Sequence, residues 1–259
     1  LRPVEPRYLS EPRGRWSGQV GVLAAPRTVQ EVALLVRLAW DARVPLVPYG
    51  GGTGLVAGQV SPEGPAPLLL SLERMNRIRE IRPAARIAIV EAGVVLASLH
   101  AAAEEHGLIF PLTFGARGSA MIGGVLSTNA GGSNVLRYGN ARELTLGIEA
   151  VLPDGSIHHG LKRLRKDNTG YDLRNLLIGA EGTLGVITAA RLRLVPHFAH
   201  VTTVFAALDD LGAALSLLAA ARRRLGSLDS IEIIWPEALD LVASHLATPP
   251  PVEVPRRGV

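Results

Sequence analysis

Glycine placement constrains this chain more than any other feature of its sequence. Three glycine-rich stretches lie between strand-like runs: Pro48-Tyr49-Gly50-Gly51-Gly52-Thr53-Gly54-Leu55, Gly115 to Gly139, and Gly179-Ala180-Glu181-Gly182-Thr183-Leu184-Gly185. Tandem glycines leave consecutive backbone N–H groups unshielded, and such groups converge into nests that hold anions. Taken singly, each stretch is explained as well by a tight turn as by a phosphate cradle. Three together suit a long ligand carrying more than one phosphate. Two common nucleotide signatures fail: Leu55 stands where the last glycine of GxGxxG belongs, and no GK[ST] follows to complete a P-loop.

The segments around these loops predict alternating strands and helices. Residues 1–18 read as an irregular arm, and Gln19 to Ala25 as a strand. Thr28-Val29-Gln30-Glu31 is a capping box opening a helix whose buried face carries Val32, Leu35, Val36, Ala39 and Trp40. Val44 to Pro48 is then a short buried strand leading into the first glycine loop. Leu68 to Leu72 and Ile87 to Glu91 read as further strands, and Val95 to His106 as a helix ended by Gly107. This β, α, β order implies an α/β layer around a partly parallel sheet.

Pro111 to Ala141 has little regular period and holds seven glycines between Gly115 and Gly139. An ordered loop of that length is expected to wrap a ligand. Met121, Ile122, Val125 and Leu126 give it too much apolar content for disorder. Leu144 to Leu152, the turn Pro153-Asp154-Gly155 and Ser156 to His159 form a hairpin pattern. Val186 to Val195 sets Leu192 and Leu194 against Arg191 and Arg193, as a half-exposed strand does, so this region reads as a more antiparallel lobe. A new unit starts near Val201, with strands at Val201 to Ala206 and Ile231 to Ile234 and helices at Asp209 to Leu225 and Pro236 to Leu246. Such a unit is too small to stand alone, which predicts that the chain stops partway through a second domain, in the proline-rich tail Pro249 to Val259.

Composition removes several function classes. No cysteine is present, which excludes disulfides, thiolate metal sites and a cysteine nucleophile. No apolar run reaches the length of a membrane span and no signal segment opens the chain, so a cytoplasmic address, free or peripheral to the membrane, is expected. The net charge is +4, but the arginines are dispersed and aromatics make up 4%, so nucleic acid is not expected as a partner. No metal site is expected either. His158 and His159 point to opposite faces of a strand, His100 and His106 fall in an ordinary helix, and His197 and His200 follow a strand-ending proline.

Several segments together resemble the vanillyl-alcohol oxidase / para-cresol methylhydroxylase flavoproteins: Pro48 to Leu55, Ile122-Gly123-Gly124 through Thr128-Asn129-Ala130-Gly131-Gly132, Arg137-Tyr138-Gly139, and Lys166-Asp167-Asn168-Thr169-Gly170-Tyr171-Asp172-Leu173 through Gly185-Val186-Ile187-Thr188. Within that family the chain is most similar to the D-2-hydroxy-acid dehydrogenases. Phe110-Pro111-Leu112, Gly115 to Ser119 and Arg165 to Tyr171 lean toward the D-2-hydroxyglutarate enzymes. The resemblance implies an α+β fold: an arm at 1–18, a two-lobed FAD-binding domain of the para-cresol methylhydroxylase type at 19–198, and the start of an α+β cap at 199–259.

The resemblance also implies FAD, bound non-covalently. Its contacts would come from Pro48, Gly50, Gly51, Gly52, Thr53, Gly54 and Leu55 in the first loop. The second would give Pro111, Gly118, Ser119, Ile122, Gly123, Gly124, Asn129, Ala130 and Gly131, and the third Glu181, Gly182, Gly185 and Ile187. Tyr49 stands where an arginine or glutamine is usual, Val125 where asparagine is common and Ala180 where serine is common.

The expected activity is oxidation of a D-2-hydroxy acid (D-2-hydroxyglutarate, D-lactate or glycolate) to the 2-oxo acid, with re-oxidation by a quinone, cytochrome or electron-transfer protein. A homodimer or a place in a hetero-oligomer is the expected assembly. The sequence assigns no catalytic residue. Lys166 and Tyr171 are candidates for the flavin edge, with a loop salt bridge and a packed ring as equal accounts. The alternative is a non-catalytic FAD-carrying subunit that relays electrons. A peptidoglycan-precursor reductase on the same scaffold is disfavoured by the Arg165 to Leu173 segment.

Overall fold

A computed structural model describes residues 3–161 and 168–252. Arg165, Lys166 and Asp167 of the motif above, and the end of the proline-rich tail, lie outside the described residues. The chain divides into two compact units, Leu1–Gly132 with Tyr138–His197, and Ser133–Arg137 with Phe198–Val259.

The first unit opens with a three-stranded parallel sheet in the order β1 (Val22–Ala24), β3 (Leu68–Ser71), β2 (Leu46–Tyr49). The central strand β3 is buried along its whole length, which is why Leu68-Leu69-Leu70 shows no alternation. Helix α1 (Val29–Asp41) covers this sheet with Val29, Val32, Ala33, Val36 and Ala39. Thr28 accepts a hydrogen bond from the Glu31 N–H at 3.2 Å, as the capping box requires. The Glu31 carboxylate reaches one residue further back than expected and accepts from the Arg27 N–H. Trp40 departs from the expected face. The helical period puts it on the buried side, but it sits in the final turn, beside the chain reversal at Arg43 (φ 53°), and is 66% exposed.

A five-stranded antiparallel sheet follows, in the order β4 (Ile78–Arg82), β5 (Ile87–Glu91), β9 (Val186–Arg193), β7 (Thr145–Val151), β8 (Ile157–His159). Strand β9 is buried on both faces from Val186 to Ala190, and only its end alternates as the sequence predicts. Pro196 does not close that run: Val195–Pro196 forms the two-residue strand β10, paired with β6 (Leu108–Ile109). Helices α2 (Leu96–Glu104) and α3 (Ile122–Ser127) pack on the sheet through Leu96, Leu99, Ile122 and Leu126. Gly107 after α2 takes φ +65°, the left-handed stop its sequence position predicts.

Helix α3 corrects the reading of Pro111 to Ala141 as one long irregular loop. Its two glycines are poor helix formers, yet the segment is helical because its start is clamped: Ile122 N–H donates to Val94 O at 2.9 Å and Gly123 N–H to Ala92 O at 2.7 Å. A side chain on Gly123 would stand 2.8 Å from the Ala92 Cβ, so glycine is what lets α3 lie this close.

One ion cluster is built into the antiparallel sheet. Glu91, 1% exposed, accepts from Arg77 at 2.9 Å and from Arg79 at 3.2 Å, and Arg79 also reaches Glu149 at 3.1 Å. The buried Thr188 hydroxyl donates to the same Glu149 carboxylate at 3.0 Å. Two carboxylates are thus held by two guanidiniums.

The second unit contains helices α4 (Leu211–Arg224) and α5 (Pro236–Leu246). Asp210 caps α4 by accepting from Ala213 N–H at 2.8 Å, and Pro236 starts α5 where no N–H is needed. The strands expected at 201–206 and 231–234 are not formed. A strand exists only when a neighbour takes up its backbone groups, and no ladder pairs these segments among the described residues. Val201, Val204, Ile233 and Ile234 accordingly stay exposed. The piece from 133 to 137 bonds into this unit: Asn134 donates to Asp229, and the Arg137 guanidinium donates to Gly226 O and Leu228 O, both at 3.0 Å.

Candidate cofactor site

The three glycine stretches meet in the first unit, and their glycines are the points of meeting. A side chain on Gly51 would collide with the Ser119 carbonyl, and one on Gly50 would stand 3.6 Å from the Gly124 nitrogen. First and second loops therefore touch backbone to backbone. A Cβ on Gly182 would come within 2.9 Å of the Pro48 ring, and one on Gly58 within 3.5 Å of the Glu181 carboxylate, which brings the third loop against the first. Glu181 N–H donates to Ser127 O at 2.8 Å and Gly179 N–H to Leu126 O at 3.0 Å, which ties the third to the second. Arg142 locks this junction: its backbone N–H donates to Asn129 Oδ1 at 3.0 Å and its guanidinium to Ile178 O at 2.6 Å. Asn129 (φ +48°) and Glu181 (φ +52°) both hold left-handed backbone here, a cost that the surrounding bonds offset.

A cavity of about 630 Å³ opens beside this junction, lined by Gly50, Gly51, Gly52, Val95, Ser119 and Met121 on one side. Its other side comes from the N-terminal arm through Arg7, Ser10, Glu11, Pro12 and Gly14, with Tyr49 at the corner. The arm is ordered as a small hairpin: Ser10 bridges Ser17, and the Glu11 carboxylate accepts from Arg13 N–H at 2.7 Å and Arg15 N–H at 2.6 Å. Those backbone bonds hold the Glu11 carboxyl below the usual carboxylate range, Arg13 N–H contributing most. Burial pushes the Tyr49 and Tyr8 phenols up, so both stay protonated donors. A second cavity of about 540 Å³ lies at Trp40, Arg43 and Val44, away from the glycine loops.

The expected site residues fall into two groups. Pro48, Gly50, Gly51, Gly52, Gly118, Ser119, Gly124, Asn129, Glu181 and Gly182 gather at or beside the junction. Gln59 holds Gly54 O at 2.8 Å, Leu55 is exposed, and Gly185 packs on the Val151 carbonyl oxygen. Pro111, Ile122 and Ile187 put their side chains in the core, and Gly123 packs on Ala92. Ala130 N–H donates to Val125 O at 2.9 Å. Tyr171 is 95% exposed, so the packed-ring account fails. Lys166 lies outside the described residues. His100 is held below its usual pKa by burial. The arm residues and Tyr49 were not foreseen as part of the cavity wall; the only signal was an aromatic, Tyr8, amid charged residues.

The test of fit for a bulky anionic cofactor is the space at the glycines. Among the described residues, nothing beyond the chain neighbours and the backbone of Gly124's own helix lies within 4 Å of a Cβ built on Gly118 or Gly124. Where Gly51 and Gly123 are glycine because the Ser119 carbonyl and the Ala92 Cβ are near, Gly118 and Gly124 face open space, which suits a ligand approaching their backbone. The donor set fits: small, bare backbone for phosphates, with Val95 and Met121 as apolar wall.

A two-lobed α+β fold whose glycine loops converge on one open cradle defines a class of dinucleotide-cofactor proteins. The chain belongs to the FAD-binding domain family, whose model matches residues 20–160, and the cofactor of that family is FAD. Among similar proteins are the mitochondrial D-2-hydroxyglutarate dehydrogenase of Bos taurus (40% identical, 96% of this chain, 46% of the relative) and the D-2-hydroxyglutarate dehydrogenase of Xanthomonas citri pv. viticola (40%, 93% and 50%). A D-2-hydroxyglutarate–pyruvate transhydrogenase of Saccharomyces cerevisiae is 36% identical over 83% of this chain and 43% of its own. The chain spans about half the length of these curated relatives. A solved alkyldihydroxyacetonephosphate synthase shares the fold, with TM-score 0.62 over 71% of this chain and 33% of its own at 24% identity.

Proposed function

We propose that this chain is the flavin-binding part of an FAD-dependent oxidoreductase that oxidises a D-2-hydroxy acid, D-2-hydroxyglutarate in first place, to the 2-oxo acid. The observation that carries the reading is the convergence of three glycine loops on one cradle in a chain 40% identical to D-2-hydroxyglutarate dehydrogenases over 96% and 93% of its length. D-lactate and glycolate are the other substrates of the class, as in a glycolate-oxidase-like flavin subunit.

In this reading Gly50 to Gly54 give their N–H groups to the pyrophosphate, and Gly118, Ser119 and Gly124 let the cofactor lie against the second loop. Asn129, Glu181 and Gly182 fix the third side. FAD, when bound, supplies the hydride acceptor for the hydrogen on C2, while the hydroxyl proton goes to a base. The acceptor proposed for the two electrons would be a quinone, a cytochrome or an electron-transfer protein. This chain's own contribution is to bind and orient the cofactor and to exclude water from it. The domain limits proposed are an arm at 1–18, the FAD domain at 19–198 and part of a cap at 199–259.

Among the described residues no helix is long and apolar enough to cross a membrane. A cytoplasmic address belongs to the proposal, whereas the bovine and Arabidopsis relatives are named mitochondrial; fractionation of source cells decides it. The chemical test is an absorbance spectrum of the purified protein, with FAD added if needed, followed by anaerobic addition of D-2-hydroxyglutarate, D-lactate or glycolate. A flavin band that D-2-hydroxyglutarate bleaches is the expected result. A bound flavin that no hydroxy acid bleaches supports the electron-carrying subunit instead, and a protein that takes up no FAD ends the reading altogether.

A further inference from the structure

The wall of the cradle opposite the glycine loops comes from the N-terminal arm, and one side chain joins the two. Tyr49 is the last residue of β2 and only 5% exposed. Its hydroxyl donates to the Arg7 carbonyl at 2.9 Å. A Cβ on Gly52 would collide with the same hydroxyl, so the left-handed turn at Gly52 (φ +68°) is moulded on the phenol. One face of Tyr49 therefore supports the first glycine loop while its tip holds the arm.

The arm has a second anchor beside the first. Tyr8, 1% exposed, meets the Tyr49 ring edge-on at 4.9 Å between centroids and donates to Glu73 at 3.0 Å. Arg7 lies 4.5 Å over the Tyr8 ring and 3.1 Å from the same carboxylate. Glu73 follows β3, the neighbour of β2 in the parallel sheet. The arm is therefore fastened to the two strands that carry the first loop.

We propose that Tyr49 is a positioning residue that couples the arm to Gly50–Gly54, so that the arm is a working wall of the cofactor site; this rests on the FAD reading above. FAD binding and arm docking then strengthen one another, because each holds the same loop.

The test uses the full chain and two variants, Tyr49→Phe, which removes only the donor to Arg7, and Glu73→Gln, which weakens the Tyr8 and Arg7 anchor without touching the loop. FAD affinity is read by fluorescence titration of the flavin-free protein, and arm docking by the rate of tryptic cleavage after Arg13 and Arg15 with and without saturating FAD. Expected are FAD-dependent protection of those two bonds in the wild type and a roughly fivefold weaker Kd for FAD in each variant, the factor matching a net hydrogen bond. Faster arm cleavage should accompany the weaker Kd. Cleavage that ignores FAD in the wild type overturns the proposal. So does either variant if it frees the arm while binding FAD as tightly as before. A wild type that takes up no FAD defeats the cofactor reading and this one together, whereas variants that bind FAD as tightly as a wild type that does take it up defeat this one alone.

Discussion

Substituting Gly124 by alanine separates a glycine kept for packing from one kept for a ligand. Gly124 lies in α3, has no positive φ, and among the described residues has no atom from outside its own helix within 4 Å of a built Cβ. In the protein alone the added methyl is harmless, and replacing a helical glycine adds about 0.5–1 kcal/mol of stability by restricting the unfolded chain. With FAD in the cradle the same methyl occupies space next to Gly50, whose own Cβ position is 3.6 Å from the Gly124 nitrogen. Overpacking of that kind costs about 1–3 kcal/mol, or roughly 5- to 150-fold in Kd. Urea unfolding of the flavin-free protein and fluorescence titration with FAD measure the two terms independently. Gly226→Ala, equally open but in the second unit, serves as the control and should leave FAD affinity unchanged. The reasoning is refuted if Gly124→Ala raises stability and binds FAD like the wild type, because the open space would then have no ligand to explain it.

Gly182→Ala should act through the protein itself: at φ +80° and 2.9 Å from the Pro48 ring, a methyl costs about 1–3 kcal/mol, read as a lower urea midpoint even without FAD. Arg79→Ala leaves the Glu149 carboxylate with the Thr188 hydroxyl and without its cation, for a loss of about 2–3 kcal/mol; a change under about 0.5 kcal/mol would show the cluster to be solvated. Burial works to raise the Glu91 carboxyl, but bonds from the Arg77 side chain and N–H and from Arg79 outweigh it and hold the pKa below the usual value. Its stabilisation is therefore complete above the ordinary carboxylate range near pH 4 and disappears as pH falls through the lowered value. Unfolding curves of Glu91→Gln should show a flatter acid limb, and an unaltered limb contradicts the assignment.

Local signals that carry their own physics were legible. Thr28 marks the start of α1, Ile87 to Glu91 is β5 as read, and the Pro153-Asp154-Gly155 turn joins β7 and β8. Elements that exist through a neighbour were not. Strand β4 is half charged and is a strand because β5 pairs with it; α3 is helical because Ala92 and Val94 hold its first turn. The error runs the other way at 201–206 and 231–234, where apolar runs meet no pairing strand among the described residues. At the cradle, glycine spacing pointed to the loops but not to which glycines are structural: Gly51 spares a clash with the Ser119 carbonyl and Gly123 one with the Ala92 Cβ, while Gly118 and Gly124 leave a space. The arm was opaque because its role depends on Tyr8, Tyr49 and Glu73, far apart in sequence, coming together.

The five residues 133–137 have a consequence for anyone cutting or recombining this gene. They are numbered within the second glycine stretch, yet they belong to the same compact unit as the chain after 197, through Asn134 and Arg137. No single cut therefore separates the two units: a fragment ending at 197 keeps a short graft whose partners have been removed, and a fragment starting at 198 lacks it. Exchanging the second unit between relatives calls for three crossovers, one on each side of Ser133–Arg137 and one near 198, and chimaeras that ignore the inner pair should fold poorly however well their outer boundary is chosen.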